Sequence, residues 1–267
     1  MGGQTIVFIH GMYMTPLCWE GWVDRFHTRG YHCLTPAWPG RDRPIDVLRK
    51  SHPDPVLGTL DLQQVVEAFA KTIRSLAEKP VLIGHSMGGL VTQLLLQKDL
   101  AAAGIAIDSA PPVGVFTTAW PFFKANWGHI NPFAKQDQPV AMTFKRFQYC
   151  FVNGMPLDEQ RSAFDRFTVP ESRRVPRQAL ASVAKIDFNQ PHVPLLLIAG
   201  SNDHLIPPSL VRTNLRRYRN SPSAIDYKEF PGRTHFIIGQ RNWEEVADYC
   251  LEWLAQHSLQ PSSMTAG

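Results

Sequence analysis

The chain has 267 residues, of which 44% are hydrophobic and 19% are charged, which is the composition of a globular protein with a sizeable core. The formal net charge of +4 is mild and forms no dense basic patch with interleaved aromatic residues, so nucleic-acid binding is not expected. No stretch reaches the apolar length of a transmembrane helix.

Short apolar runs alternate with longer amphipathic segments in the first part of the chain. Strands are predicted at residues 5–9 and 31–34, with a helix over 16–29 between them. Several prolines and charges predict a surface loop over 41–60. A helix with one apolar face is then predicted over 61–79.

The alternation continues with a buried strand at 81–83, a helix over 90–97 and a strand at 104–107. Late in the chain, strands are predicted at 194–199 and 224–230, and helices are predicted at 208–219 and 243–256. Strands separated by helices at this spacing pair in parallel, because parallel strands need a long crossover connection. The predicted fold is α/β, with a mostly parallel central sheet flanked by helices.

Residues 116–187 interrupt this alternation. They contain no strong strand pattern, are rich in aromatic residues at their start, and carry helical stretches at 157–166 and 176–184. We expect an inserted helical cap over 116–187 and an α/β core made of 1–115 and 188–267.

Ser86 lies in a G-x-S-x-G pentapeptide between a predicted buried strand and a predicted helix. That context is the strand–turn–helix setting of a nucleophile elbow, in which a sharp turn projects the hydroxyl into a cavity. Gly84 and Gly88 let the strand and helix pass close to each other. Ser86 is therefore the candidate nucleophile; the alternative is a simple helix cap.

Attack by a serine on a carbonyl creates an oxyanion, which needs two backbone N–H donors already in place. Met87, directly after the serine, and Met12, in the loop after the first strand, are the candidate donors. Gly11 lets that loop approach, and His10 is expected to brace it. The Tyr13 hydroxyl is an alternative contributor to this site.

The base and acid are sought in loops that follow strands, because the carboxyl ends of parallel strands gather at one rim. His235 follows the last predicted strand, and an imidazole suits proton transfer near neutral pH. Asp203 follows the strand at 194–199 and is the candidate that orients His235. Asp108, after the strand at 104–107, is the rival for that role.

These segments resemble the α/β-hydrolase superfamily, most closely the small serine carboxylesterases and lactonases with a helical cap. The likeness is carried, in the family's order, by Phe8-Ile9-His10-Gly11, Gly84-His85-Ser86-Met87-Gly88-Gly89, Gly200-Ser201-Asn202-Asp203 and Gly232-Arg233-Thr234-His235. The chain begins at what would be the family's third strand, so the resemblance implies about six parallel strands without the usual antiparallel N-terminal pair. Serine as the nucleophile disfavours the dehalogenase and epoxide-hydrolase branches.

The resemblance implies hydrolysis of carboxylic esters through an acyl-enzyme, with lactones such as acyl-homoserine lactones also credible substrates. Thioester hydrolysis, perhydrolysis and C–C cleavage by the same residues, or ligand sensing without catalysis, remain alternatives. The aromatic start of the cap predicts an apolar pocket for the substrate. The candidate residues for binding it are Tyr13, Phe116 and Trp120.

No cofactor or metal is implied, and the expected partner is a small apolar ester or lactone. The chain enters its first strand without a basic segment or a long apolar run, so no signal peptide is expected. The four cysteines lack C-x-x-C or metal-ligand spacing and are expected to be reduced thiols, mostly buried. These features predict a cytoplasmic protein with no membrane span and leave its oligomeric state open.

Overall fold

A six-stranded sheet lies at the centre of the structure, a computed structural model that describes residues 4–130 and 135–261, with side chains described for 4–126 and 135–261. The strand order is β2-β1-β3-β4-β5-β6 and every pairing is parallel. The strands are β1 (Thr5–Ile9), β2 (His32–Leu34), β3 (Val81–His85), β4 (Ala103–Ile107), β5 (Leu195–Gly200) and β6 (Ile225–Phe230). The predicted parallel sheet is confirmed.

The composition of the strands follows their place in the sheet. Every residue of β3, β4 and β5 is buried, as expected for parallel strands covered on both faces. The two edge strands are more polar: His32 of β2 and Asp226 of β6 are exposed. Register is set by apolar pairs such as Ile83 beside Phe8 of β1 and Ile105 of β4. The long apolar runs therefore identify the centre of the sheet.

Helices cover this sheet, and α5 packs against β3 and β4 while α10 packs against β5 and β6. The α-helices are α1 (Glu20–His27), α2 (Ile45–Lys50), α3 (Pro55–Thr59), α4 (Leu62–Arg74), α5 (Met87–Gln97), α6 (Trp120–Ile130), α7 (Phe144–Cys150), α8 (Leu157–Phe167), α9 (Arg174–Gln178), α10 (Pro208–Arg217) and α11 (Glu244–Gln256). Single 3-10 turns span Pro16–Trp19, Ser182–Ala184 and Tyr218–Asn220.

Several predicted boundaries were wrong. The expected loop over 41–60 contains α2 and α3, because the Asp54 carboxylate caps α3 and Pro55 occupies its first turn, where a proline is tolerated. The helix predicted over 61–79 ends at Arg74. The helix predicted over 176–184 is replaced by α9 and a 3-10 turn.

Residues 116–187, hereafter the insertion, contribute α6, α7, α8 and α9 between β4 and β5. Within the insertion α6 packs on α7 and α9, and α7 packs on α8. An antiparallel bridge pairs Val140 with Glu171, and α9 packs on α4 of the remaining fold. Residues 131–134 of the insertion lie outside the described residues. That the insertion forms a separate cap domain stays a prediction.

The described cysteines are all unpaired, and Cys18, Cys150 and Cys250 are buried. Among the residues that the structure describes, no helix has the length and apolar character needed to cross a bilayer.

Candidate active site

Ser86 occupies the turn between the end of β3 and the start of α5. Its backbone is in an unusual conformation, with φ 57° and ψ −120°. A non-glycine residue adopts positive φ rarely and at an energetic cost, so the surrounding structure must hold it there. Helix α5 begins at Met87, three residues earlier than predicted. The prediction left out Gly88 and Gly89 because glycine has a low helix propensity, but both lie in the first turn of the helix. The geometry is that of a nucleophile elbow.

Close backbone approach at Gly88 holds this turn in place. A Cβ at position 88 would lie 2.1 Å from the carbonyl oxygen of Ile9, at the end of β1. The first turn of α5 is therefore pressed directly against the loop that follows β1, at a distance that only glycine permits. This packing places Ser86, which is 7% exposed, beside that loop.

The structure brings Ser86, His235 and Asp203 together in one hydrogen-bonded chain. Nε2 of His235 lies 2.9 Å from Oγ of Ser86, and Nδ1 of the same ring lies 2.6 Å from Oδ2 of Asp203. Because a carboxylate accepts, Nδ1 carries the proton and Nε2 is left to accept the serine hydroxyl. Each residue follows the carboxyl end of a strand, β3, β6 and β5 respectively, as predicted for one rim of the sheet.

Hydrogen bonds to the second carboxylate oxygen of Asp203 fix the orientation of its side chain. Its Oδ1 accepts the backbone N–H groups of Leu205 at 2.7 Å and Ile206 at 2.8 Å, so its Oδ2 points at His235. The rival carboxylate of Asp108 is also buried nearby, with Oδ1 accepting the N–H of Gly200 at 2.7 Å. Of the two carboxylates, Asp203 makes the hydrogen bond to His235.

Burial controls the protonation of these groups. It lowers the pKa of His235 from its ordinary 6.5 to about 3, so the imidazole is neutral at neutral pH and available as a base. Burial raises the pKa of Asp203 well above its ordinary range, and the N–H groups of Ile206 and Leu205 oppose that rise. Burial, followed by the charge of Asp203, raises the pKa of Asp108. The carboxylates therefore sit in a strongly desolvated environment.

The loop after β1 runs beside the Ser86 side chain. A Cβ at Gly11 would lie 2.8 Å from Cβ of Ser86 and 3.4 Å from its Oγ, so the backbone of this loop contacts the serine. Met12 and Met87 both line the same cavity as Ser86, which is where the predicted oxyanion donors are required. Tyr13 also lines it, with a positive φ of 63°.

His10 contacts the loop rather than the serine. Its Nε2 accepts the N–H of Trp38 at 3.3 Å, so its Nδ1 donates to the carbonyl of Gly11 at 2.9 Å. The ring also stacks on Trp38, with centroids 5.0 Å apart. Burial lowers the pKa of His10 to about 3, which keeps the ring neutral in this role. These contacts brace the loop that carries Met12.

Residues 6–249 match the profile described as the alpha/beta hydrolase family, which is most of the chain. The chain belongs to the alpha/beta hydrolase family. The resemblance drawn from the sequence motifs is confirmed.

Solved structures resemble this hydrolase over nearly its whole length. The monoacylglycerol lipase of Paleococcus ferrophilus is 19% identical with a TM-score of 0.67, covering 96% of this chain and 97% of its own. An extracellular alpha/beta-hydrolase from a Paenibacillus species is 18% identical with a TM-score of 0.70, over 93% and 98%.

A pyrethroid hydrolase from Sphingobium faniae JZ-2 is 18% identical with a TM-score of 0.63, over 94% of this chain and 97% of its own. At these identities the likeness establishes the fold. No curated protein matches this hydrolase in sequence.

The cavity that Ser86 lines is mostly apolar, and residues of the insertion form part of its wall. Its apolar wall comes from both the core and the insertion and includes Ala110, Phe122, Ala125, Met142, Leu205 and Ile206. Of the residues predicted to bind substrate, only Tyr13 lines it. Phe116 and Trp120 are 75% and 74% exposed and lie away from this lining, so the structure does not bring them to the site. Of the aromatic side chains of α6 that the structure describes, that of Phe122 lines the cavity.

Three polar residues near the site were not found from the sequence. Glu171 is fully buried and accepts the N–H of Tyr13, but a glutamate in the insertion carries no motif. Arg146 lines the cavity from α7 and likewise stands in no motif. His85 is buried with Nε2 2.8 Å from the carbonyl oxygen of His235. One indication of this residue was present in the sequence, since His85 directly precedes the serine in the G-x-S-x-G motif.

A group of potential metal ligands overlaps this site. Ligand atoms of His85, Asp108 and His235 lie within 4.8 Å of one another. Both nitrogens of His235 already contact Ser86 and Asp203, so an ion bound there would displace those contacts. That the protein needs no metal or cofactor stays a prediction.

Proposed function

We propose that this protein is a serine hydrolase that cleaves carboxylic esters through an acyl-enzyme intermediate. The observation that carries the proposal is the chain of hydrogen bonds from Ser86 through His235 to Asp203, at 2.9 Å and 2.6 Å. These distances are within the range that proton transfer from a nucleophile to its base requires.

In the first half of the reaction, Oγ of Ser86 bonds to the ester carbonyl carbon while its proton passes to Nε2 of His235. The N–H groups of Met12 and Met87 are proposed to donate to the oxyanion that forms. When the oxyanion collapses, the bond to the leaving alcohol breaks and His235 protonates the alkoxide. Ser86 then carries the acyl group as an ester.

In the second half, His235 takes a proton from water, whose oxygen attacks the acyl carbon. Collapse of the second oxyanion breaks the bond to Ser86, and His235 returns the proton to Oγ, releasing the carboxylic acid. Asp203 stabilises the imidazolium that forms twice in the cycle and keeps the ring in the correct tautomer. All atoms and protons are returned without a co-reactant other than water.

The cavity and the comparisons support an ester as substrate. The apolar lining around Ser86 suits an acyl chain, and several proteins of similar fold are named as a lipase, an esterase or a pyrethroid hydrolase. A lactone is a cyclic ester and would follow the same steps. The expected location of the chemistry is the cytoplasm.

The experiment is hydrolysis of short-chain 4-nitrophenyl esters, followed by a panel of thioesters and lactones, with the wild type and Ser86→Ala. We expect ester turnover that falls by about 10⁴-fold or more in the variant, because the nucleophile is lost. Saturable binding of such esters without Ser86-dependent turnover would replace the proposal with ligand sensing. Faster turnover of thioesters than of matched esters would replace it with thioester hydrolysis.

A further inference from the structure

Among the described residues, the mostly apolar wall of the cavity that Ser86 lines contains one cationic side chain. Arg146, on α7, is among the described residues that line this cavity together with Ser86. Its Nη2 donates to the carbonyl of Ala125 at 3.1 Å, which ties α7 to α6. That bond uses one of the five N–H donors of the guanidinium. The guanidinium of Arg146 therefore has further N–H groups that can donate to a ligand in the cavity.

Arg146 has no carboxylate partner in the part of the chain that the structure describes. The ion pairs among the described residues join other arginines, lysines and two histidines to acids, and none includes Arg146. Arg41, for comparison, is paired with Glu171 at 2.6 Å. A half-buried cation in apolar surroundings gains most from an anion, because the low local dielectric strengthens their attraction.

The charge of Arg146 acts on the cavity itself. Burial raises the pKa of the Tyr13 hydroxyl and of the Cys150 thiol, and in both cases the positive charge of Arg146 opposes that rise. A hydrogen bond from Arg146 also opposes the rise in the pKa of Cys150, whereas the charge of Glu171 adds to the rise in the pKa of Tyr13. Tyr13 and Cys150 line the same cavity as Ser86. An anionic group on a bound substrate would experience the same favourable field.

The distribution of charge along the chain points the same way. The insertion holds 10 Lys and Arg against 6 Asp and Glu, a net charge of +4, whereas the remaining residues hold 17 of each and are neutral. The formal excess of positive charge thus lies in the segment that supplies part of the cavity wall. Such a field raises the local concentration of anionic substrates.

We propose that Arg146 forms an anion-binding subsite, and that the ester this enzyme prefers carries a carboxylate or a comparable anion on its acyl or alcohol part. This inference rests on the proposed ester hydrolysis and names the class of its substrate. The apolar wall holds the hydrocarbon part of the ester, and the guanidinium receives the anion through charge-assisted hydrogen bonds. Arg146 is then a specificity-determining residue.

Two pairs of esters test the subsite, each pair matched in shape because an isopropyl group replaces a carboxylate. On the acyl side, mono-4-nitrophenyl glutarate is compared with 4-nitrophenyl 5-methylhexanoate. On the alcohol side, 4-acetoxybenzoate is compared with 4-isopropylphenyl acetate. Each kcat/KM is divided by the hydroxide-catalysed rate of the same ester, and the ratio of anionic to neutral substrate is taken for each pair.

The variants are Arg146→Met, which removes the charge, and Lys145→Met, which removes an exposed charge from the adjacent position on α7. We expect the ratio for at least one pair to fall by about tenfold in Arg146→Met, as for loss of a hydrogen bond to a charged group. It stays within twofold of wild type in Lys145→Met. A change of less than threefold for both pairs in Arg146→Met overturns the subsite, as does an equal fall in Lys145→Met.

The wild type alone gives a second measurement if Arg146→Met does not fold. A normalised preference for the anionic member of either pair supports the subsite, whereas preference for the neutral member in both pairs overturns it. Failure of the proposed function has a different signature, because then neither member of any pair is hydrolysed in a manner that depends on Ser86.

Discussion

The backbone N–H of Tyr13 donates to the carboxylate of Glu171 at 3.0 Å, although 158 residues separate them. This bond joins the loop beside Ser86 to the insertion, and the carbonyl of Tyr13 accepts the N–H of Val169 at 2.9 Å from the same segment. The other oxygen of Glu171 pairs with buried Arg41 at 2.6 Å. Tyr13 has a positive φ of 63°, and these contacts hold it there.

Replacing Glu171 with alanine leaves Arg41 as an unpaired buried charge. We expect the free energy of unfolding to fall by about 3–5 kcal/mol in chemical denaturation, because neither solvent nor another described acid replaces the lost partner. The control is Glu20→Ala, which breaks the exposed pair with Arg166 and is expected to cost less than about 1 kcal/mol. Equal losses in the two variants would contradict the role of the buried pair.

The same bond is expected to matter for turnover. In Glu171→Met, which has no side-chain oxygen to accept the N–H of Tyr13, the folded fraction should show a fall in kcat of about tenfold or more with a smaller change in KM, because the loop that carries Met12 shifts relative to Ser86. Steady-state kinetics at a temperature where the variant is folded provides the measurement. A change confined to KM would indicate that Glu171 acts on substrate binding instead.

The two buried aspartates are expected to differ in their effect on activity. Asp203→Asn should lower kcat/KM by about 10³–10⁴-fold, because an amide donates toward Nδ1 of His235 and favours the wrong tautomer. Asp108→Asn keeps an oxygen for the N–H of Gly200 and should lower kcat/KM less than tenfold. Ester hydrolysis by the two variants checks this order, and the reverse order would assign the acid to Asp108.

Asp108 also gives a prediction for stability against pH. Burial raises its pKa in the folded protein, so the folded state binds more protons than the unfolded state between the ordinary pKa of 3.8 and the raised value. Its contribution to stability therefore decreases as pH rises through that window. Asp108→Asn removes this penalty and should make the protein more stable than wild type above the window.

Denaturation with urea at a series of pH values tests that prediction, with the advantage of Asp108→Asn over wild type growing as pH rises from about 4. The control is Asp46→Asn on the exposed face of α2, which should show no such trend, since the Asp46 carboxylate is largely exposed. If the difference in the free energy of unfolding between Asp108→Asn and wild type instead decreases as pH rises, the prediction is contradicted.

The cavity wall predicts a change of acyl-chain preference. Phe122→Ala opens space in the cavity that Ser86 lines, so kcat/KM for a 4-nitrophenyl octanoate should rise several-fold relative to the acetate. Phe116→Ala, on a ring that is 75% exposed and outside the cavity, should leave this ratio unchanged. If Phe116→Ala shifts the ratio and Phe122→Ala does not, then Phe116 and not Phe122 contacts the acyl chain, which contradicts this description of the cavity wall.

The sheet and the three hydrogen-bonded residues were accessible from the sequence because their signals are local. Buried parallel strands read as continuous apolar runs, and Ser86, Asp203 and His235 each follow such a run. Because the loops at the carboxyl ends of parallel strands lie at one edge of the sheet, the three side chains could be predicted to lie close together.

The remaining parts of the site depend on contacts between distant segments. Aromatic composition marked the start of the insertion, but it could not tell that Phe122 faces the cavity while Phe116 and Trp120 face solvent. Glu171 meets Tyr13 only through the folding of the insertion onto the core. Such pairings carry no periodic or motif signal, since neither neighbouring residues nor spacing specify the partner.

Reaction with a fluorophosphonate probe, followed by peptide mass spectrometry, tests the central claim most directly, because the probe forms a stable bond to an activated serine. We predict a single phosphonate on the peptide that contains Ser86, no label in Ser86→Ala, and much slower labelling in His235→Ala. Stable labelling of a different residue, or full ester turnover by Ser86→Ala, would contradict the account.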